Sequence, residues 1–296
     1  MAVRVCAVIP TFFPDRRLAQ SVATLKPRVD DIFVIDNHSQ GRETLWAELE
    51  ASGVHIHREE HNRGIAAALN RGARLAIAAG HDWMLTLDQD AACSSDLVPR
   101  LFAGLESFPE PARVAILGPR TLHPERSDLG SRRAPPYRIV KQLLTSGSLV
   151  RLSALERAGF FDESYFMDRV DFEICARLRS MDQLLLEIPG AVQYHAPGHT
   201  RHRRVLGIPV RVQSQDYKRR YFMARNTIRL VQRYSSRDPA WVSRRIGVLA
   251  AQLVLILLFE EDRGRQLRAS AAGLVDGLRG RCGPRFADMR SEPPGA

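Results

Sequence analysis

The four cysteines of this 296-residue chain, Cys6, Cys93, Cys175 and Cys282, lie far apart and form no Cys-x-x-Cys pair. That excludes a zinc ribbon and a disulfide framework, and it fits a reducing, cytoplasmic compartment. No Gly-x-Gly-x-x-Gly follows the first apolar stretch, and Gly-x-x-x-x-Gly-Lys-Ser/Thr occurs nowhere. A dinucleotide-dependent oxidoreductase and a P-loop NTPase are therefore not expected. The N-terminal segment 1–10 has too short an apolar run for a signal peptide and reads as a first strand. No strictly apolar run reaches the roughly 18 residues of a membrane span. The longest, 246–259, has 14 residues and includes Gln252.

Acidic charge is scarce in one place only. Residues 1–200 carry 23 basic and 25 acidic side chains, a balance of −2, whereas residues 201–296 carry 20 and 8, a balance of +12. The whole basic excess thus sits beside the most apolar helical run. That pairing suggests peripheral contact with an anionic membrane surface. Aromatics are few among these arginines and no nucleic-acid motif is present, so nucleic acid is not expected as a partner. A solvated basic face, or a core or oligomer helix over 246–259, is the plainer reading of the same residues.

Over the first ninety residues, short apolar strands (3–9, 32–35, 54–57, 83–87) alternate with helical stretches (16–25, 44–52, 64–79). This pattern predicts an α/β fold with a mainly parallel central sheet flanked by helices. Later stretches are less regular: strands are expected at 114–117, 143–150 and 184–188, and helices at 153–158, 172–180, 217–234 and 241–259. Residues 123–138, rich in Pro, Arg and Ser, read as a loop.

Polar residues gather where strands end, the edge at which parallel sheets bind ligands. Asp88-Gln89-Asp90 closes the strand 83–87, and two carboxylates there suit a hard divalent cation, Mn²⁺ or Mg²⁺, and through it a diphosphate. Asp36, after the second strand, can accept from the imide N–H of a pyrimidine base or serve as a turn aspartate. Asn62-Arg63-Gly64 opens a helix: Asn62 can cap it, Gly64 permits close approach, and a helix N-terminus beside an arginine favours a diphosphate. Farther along, Asp162, Glu163, Asp168, Asp171 and Glu173 fall within twelve residues, interleaved with aromatics. One of them can act as general base toward a hydroxyl, or the group can be a helix N-terminal charge cluster. His195 follows the strand 184–188 and could complete a mixed nitrogen–oxygen metal site with Asp90.

These blocks occur in one order: Val8-Ile9-Pro10-Thr11, Val34-Ile35-Asp36-Asn37, Asn62 to Ala66, Leu85 to Asp90, Leu117 to Arg120, Ser146-Gly147-Ser148, Phe161 to Glu173 and Arg219 to Asn226. In that order they resemble family 2 glycosyltransferases of the GT-A fold, and within them the bacterial dTDP-rhamnose-dependent rhamnosyltransferases. The resemblance implies a catalytic domain over 1–215, with a nucleotide-binding half over about 1–120 and an acceptor half over about 121–215. A C-terminal helical appendage over 216–290 and a tail without order over 291–296 would follow. It implies that Thr11, Asp36, Asn37, Asn62, Arg63, Gly64 and Asp88 contact the nucleotide diphosphate. Asp88, Asp90 and His195 would hold the metal, and Asp171 would be the base with Glu173 in support. Asp168 is the competing base. The implied reaction is an inverting transfer from a nucleotide sugar to a glycan or lipid-linked acceptor in surface-polysaccharide or glycolipid synthesis. A UDP-linked donor, a sugar-phosphate nucleotidyltransferase, a non-catalytic nucleotide-sugar-binding module and an oligomeric state stay open at this point.

Overall fold

A computed structural model describes residues 3–122, 135–194, 200–205, 208–213 and 215–283. The first half alternates as the sequence predicts: β1 (Val5–Thr11), α1 (Arg17–Leu25), β2 (Asp31–Asp36), α2 (Glu43–Ala51), β3 (His55–Arg58), α3 (Ile65–Ala78) and β4 (Trp83–Thr86). After β5 (Ala92–Cys93) come α4 (Leu97–Glu106), β6 (Val114–Leu122), β7 (Arg138–Ile139), β8 (Ser148–Arg151), α5 (Leu152–Arg157), α6 (Val170–Arg179) and β9 (Leu184–Tyr194). A hairpin of β10 (Thr200–Val205) and β11 (Ile208–Gln213) leads into α7 (Tyr217–Tyr234), α8 (Pro239–Phe259) and α9 (Arg263–Leu278). The expected strand over 143–150 is shorter and later, because Thr145 to Gly147 turn to meet the end of β4: the Gly147 amide donates to the Thr86 carbonyl at 2.7 Å.

The main sheet runs β3-β2-β1-β4-β8-β6-β9-β5, with β7 on β9. β3, β2, β1 and β4 pair in parallel, and β6 pairs in parallel with β9. β8 is antiparallel to both β4 and β6, so β6 and β9 point the same way as β4. The C-terminal ends of β1, β2, β4, β6 and β9 therefore meet along one edge, joined there by the start of β8. Strands such as Val5–Thr11 are almost wholly buried, as expected of a sheet covered on both faces. Alternation along β1 sends Cys6 and Val8 to one core and Ala7 and Ile9 to the other. The alanine-rich α3 lies close on the sheet because Gly72 stacks directly on the Val8 side chain, where a Cβ would overlap it.

The C-terminal helices are built into this body. Leu230 and Tyr234 of α7 and Trp241 and Val242 of α8 belong to the same core cluster as Val8 and Phe172. The boundary expected at residue 215 thus runs between elements that share one core. α8 also corrects the reading of the apolar run. Its 21 residues are long and apolar enough to cross a membrane by length and composition, although only 17% of its 18-residue apolar window is buried. The helix itself matches the expected 241–259; the 14-residue apolar run is shorter than the window that makes it long enough because Arg244 and Arg245 lie within the helix. The tail expected to lack order, 291–296, lies outside the described residues.

Candidate active site

This edge of the sheet is organised by short polar contacts between strand ends. Asp36 is fully buried, and its carboxylate accepts from the Thr11 hydroxyl at 3.1 Å and from the Ser39 amide at 2.8 Å. It orients Thr11 from behind rather than lining the groove. The Asn37 amide donates to the Thr11 carbonyl at 2.8 Å, and Asn37 Oδ1 accepts from the Arg63 amide at 3.2 Å. Asn62 Oδ1 accepts from the Gly64 amide at 2.8 Å, closing a turn that launches α3. Gln89 does not point at a ligand. It holds the backbone of Phe12 through both amide atoms, at 2.7 and 3.2 Å, which locks the β1 loop to the β4 loop. Thr11, Asn37, Asn62, Gly64, Asp88 and Asp90 line one groove of about 330 Å³. The Arg63 side chain stands outside it, paired with Glu163 at 3.3 Å.

A second cavity, of about 530 Å³, adjoins this groove and shares Asp88, Asp168 and Arg219 with it. Asp171 and Ser146 are also on its wall. Asp171 occupies the first turn of α6, and burial pushes its carboxyl up to about 7, against the opposing pull of Arg169 and the Phe172 amide. The competing Asp168 is engaged: Arg219 Nε reaches both of its oxygens at 3.1 Å. Glu173 is not brought to the cavity. Two residues along a helix turn the side chain by about 200°, so Glu173 faces the core. There it accepts from Arg177 at 2.6 Å and from the Tyr234 hydroxyl at 2.8 Å. It fixes α6 to α7 and does not touch the reacting side.

What aims Asp171 is the segment just before α6. Phe166, Asp168 and Arg169 all have positive φ, at 62°, 57° and 63°, which is uncommon for residues with a Cβ. Such a backbone persists only when its surroundings fix it. Here α7 fixes it. Asn226 Nδ2 donates to the carbonyls of Tyr165, Met167 and Asp168 at 3.0, 2.7 and 2.8 Å. Arg225, fully buried, donates to the Ser164 and Tyr165 carbonyls at 2.8 and 3.0 Å. From the other side the Ile65 amide donates to the Phe166 carbonyl at 2.8 Å, and Gly64 gives that carbonyl its space. The sequence placed 219–226 among the matching blocks without a role for it. The available signal was an Arg-Asn pair next to Tyr221 and Phe222, on the face that the helical period assigns to the core.

Asp88 and Asp90 both face the smaller groove and offer hard oxygen ligands of the kind Mg²⁺ and Mn²⁺ take, with diphosphate oxygens and water able to complete the shell. The residues present therefore fit a divalent cation. Among the described residues no group of three or more His, Cys, Asp or Glu side chains forms a ready-made metal cluster. His195 lies outside the described residues.

A family model described as glycosyl transferase family 2 matches residues 6–148, from β1 to the start of β8. The chain is 26% identical over 299 residues to the dTDP-rhamnosyl transferase RfbF of Shigella flexneri, an alignment spanning 95% of this chain and 97% of that protein. It is 27% identical over 158 residues to the undecaprenyl-phosphate mannosyltransferase of Micrococcus luteus, spanning 50% of this chain and 58% of that one. Among solved structures, S. aureus TarS superposes with a TM-score of 0.57 at 10% identity over 93% of this chain; the chain spans 49% of TarS. TarS 1–349 in complex with UDP-GlcNAc gives 0.51 at 11% identity over 98% of this chain and 99% of that one. These likenesses carry the fold, which is GT-A. With Asp36, Asp88 and Asp90 inside the matched block, and that block on the GT-A edge just described, residues 6–148 carry a glycosyl transferase family 2 domain and the chain is a glycosyltransferase.

Proposed function

We propose that the enzyme moves L-rhamnose from dTDP-rhamnose, with inversion, to a hydroxyl of a glycan or lipid-linked acceptor in cell-surface polysaccharide or glycolipid synthesis, in peripheral contact with an anionic membrane. The donor rests on the near full-length similarity to a dTDP-rhamnosyl transferase. The chemistry rests on one observation: Asp171, with its carboxyl raised to about 7 by burial, stands on the wall of a cavity that also includes Asp88 of the donor edge. A group poised near neutral pH is suited to proton abstraction.

In this reading the acceptor hydroxyl occupies the larger cavity against Asp171. Its oxygen attacks the anomeric carbon, its proton passes to Asp171, and the bond from the anomeric carbon to the diphosphate oxygen breaks on the opposite face to release dTDP. Thr11, Asn37 and the Asn62–Gly64 turn hold the nucleotide diphosphate along the smaller groove. Asp88 and Asp90 would hold Mn²⁺ or Mg²⁺, which supplies positive charge against the leaving diphosphate. Glu173 keeps the base helix in place from the core side.

A donor panel of dTDP-rhamnose and UDP-linked sugars, scored by nucleotide release with and without Mn²⁺, tests this. Turnover of dTDP-rhamnose that is lost on adding a chelator is expected. Turnover of a UDP-sugar alone would refute the donor. Release of pyrophosphate from a nucleoside triphosphate and a sugar phosphate would refute transfer altogether.

A further inference from the structure

α8 presents an apolar face that none of the described residues covers. Its inward stripe, Val242, Leu249 and Ile256, is buried, while Ile246, Val254, Leu257 and Leu258 on the outer arc are 47%, 53%, 54% and 55% exposed. Between them lie the exposed small residues Gly247, Ala250 and Ala251. A continuous apolar strip of this length on one helix is the mark of a membrane or protein contact. Charge selects between the two. Arg237 and Arg244 stand exposed near the start of α8, and Arg263, Arg265 and Arg268 beyond its end, against Glu261 and Asp262. Across residues 201–296 basic side chains outnumber acidic ones 20 to 8, which repels a second copy of the chain and suits anionic headgroups.

The helix cannot cross a bilayer without leaving the fold, because both of its ends are tied to the catalytic body. At the start, Asp238 accepts from Lys141 at 2.9 Å and Arg179 at 3.0 Å, and the buried Trp241 packs on Tyr234 and Phe172. At the end, Glu260 pairs with Arg220 at 3.3 Å, both nearly buried. Gln252, between those ends, lines the same cavity as Asp171 and Asp88. We propose that α8 lies in the plane of an anionic bilayer with its outer arc sunk among the headgroups, so that the Asp171 cavity opens at the membrane surface and takes its acceptor from the lipid phase. Only the acceptor clause rests on the transfer reading above; the docking geometry stands apart from it.

The test is flotation of the full chain, without any nucleotide sugar, on vesicles of phosphatidylcholine alone and of phosphatidylcholine mixed equally with phosphatidylglycerol. Binding to the mixed vesicles is expected, with weakening at high salt and a drop of at least about tenfold in Val254→Glu/Leu257→Glu, whose side chains are exposed and outside the active site. Melting temperature and nucleotide release with a water-soluble acceptor should be unchanged in that variant. Vesicle binding equal to wild type in the double variant would overturn the proposal. So would retention on vesicles after alkaline extraction, which indicates a crossing helix, or a wild-type dimer that the variant dissociates while neither binds lipid. Absence of turnover with every donor, with vesicle binding intact, would count against the transfer reading and leave the docking standing.

Discussion

As the proposed base, Asp171 must be ionised to take a proton, and its surroundings set the pH at which it is. With its carboxyl raised to about 7, kcat/KM of the donor-free enzyme should climb roughly tenfold per pH unit below neutrality and level off above it. Asp171→Asn should lower kcat by about 10²-fold or more, with donor affinity measured by calorimetry nearly unchanged. The same burial has a consequence for stability. A carboxyl that titrates near 3.8 when unfolded and near 7 when folded leaves the native state holding the extra proton in between. Stability therefore falls as pH rises through that window and is flat above it. The Asn variant should lack that fall, which paired melting curves across the window would reveal. The carboxylates of this site were legible as residue types: Asp88, Asp90 and Asp171 are all found facing the two adjoining pockets. That Asp168 and Asp171 line the cavity while Glu173 turns to the core was not legible. It depends on where the helix begins, and three left-handed residues that no local propensity announces determine that start.

At the scale of elements, the site is held between α3, the segment before α6, and α7. Asn226 donates to three carbonyls of a strained backbone, that of Tyr165 shared with Arg225, so Asn226→Ala takes a donor from buried acceptors and should cost about 2–4 kcal/mol. Because the loop it holds aims Asp171, kcat should fall well beyond what reduced folded population explains, with KM for donor little changed; steady-state kinetics on the soluble, folded fraction separates the two. Gly64 bounds the same loop from the other side. At φ +87°, with the Phe166 carbonyl where its Cβ would go, Gly64→Ala should destabilise by about 1–3 kcal/mol and raise KM for donor, because the Asn62 turn moves with it. The helical period predicted α7 over 217–234, and the structure has it there. Its role stayed hidden for a physical reason: a buried Arg-Asn pair reads as an interruption of an apolar face until the carbonyls it satisfies, some sixty residues away, are brought beside it.

At the scale of the whole molecule, the β-α alternation of the first ninety residues specifies the nucleotide half almost unaided, since each parallel pair needs only a short crossover helix. The second half is less local. β8 enters between β4 and β6 in the opposite sense, and Asp171 arrives on a helix whose position is set by α7, far along the chain. A catalytic domain ending at 215 followed by a helical appendage is the division the resemblance implies, yet the packing runs across it. Phe222 is fully buried and stacks on Phe166 at 5.2 Å, and Leu230, Tyr234 and Trp241 complete the core above α6. A chain cut after residue 215 would expose that core and take the Asn226 donor from the Met167 and Asp168 carbonyls. It should accordingly lose its cooperative thermal transition by circular dichroism, whereas a cut after residue 283 should not. If the 1–215 fragment melted cooperatively and still bound nucleotide, α7 would be an appendage after all, and the case for its holding the catalytic loop would fail with it.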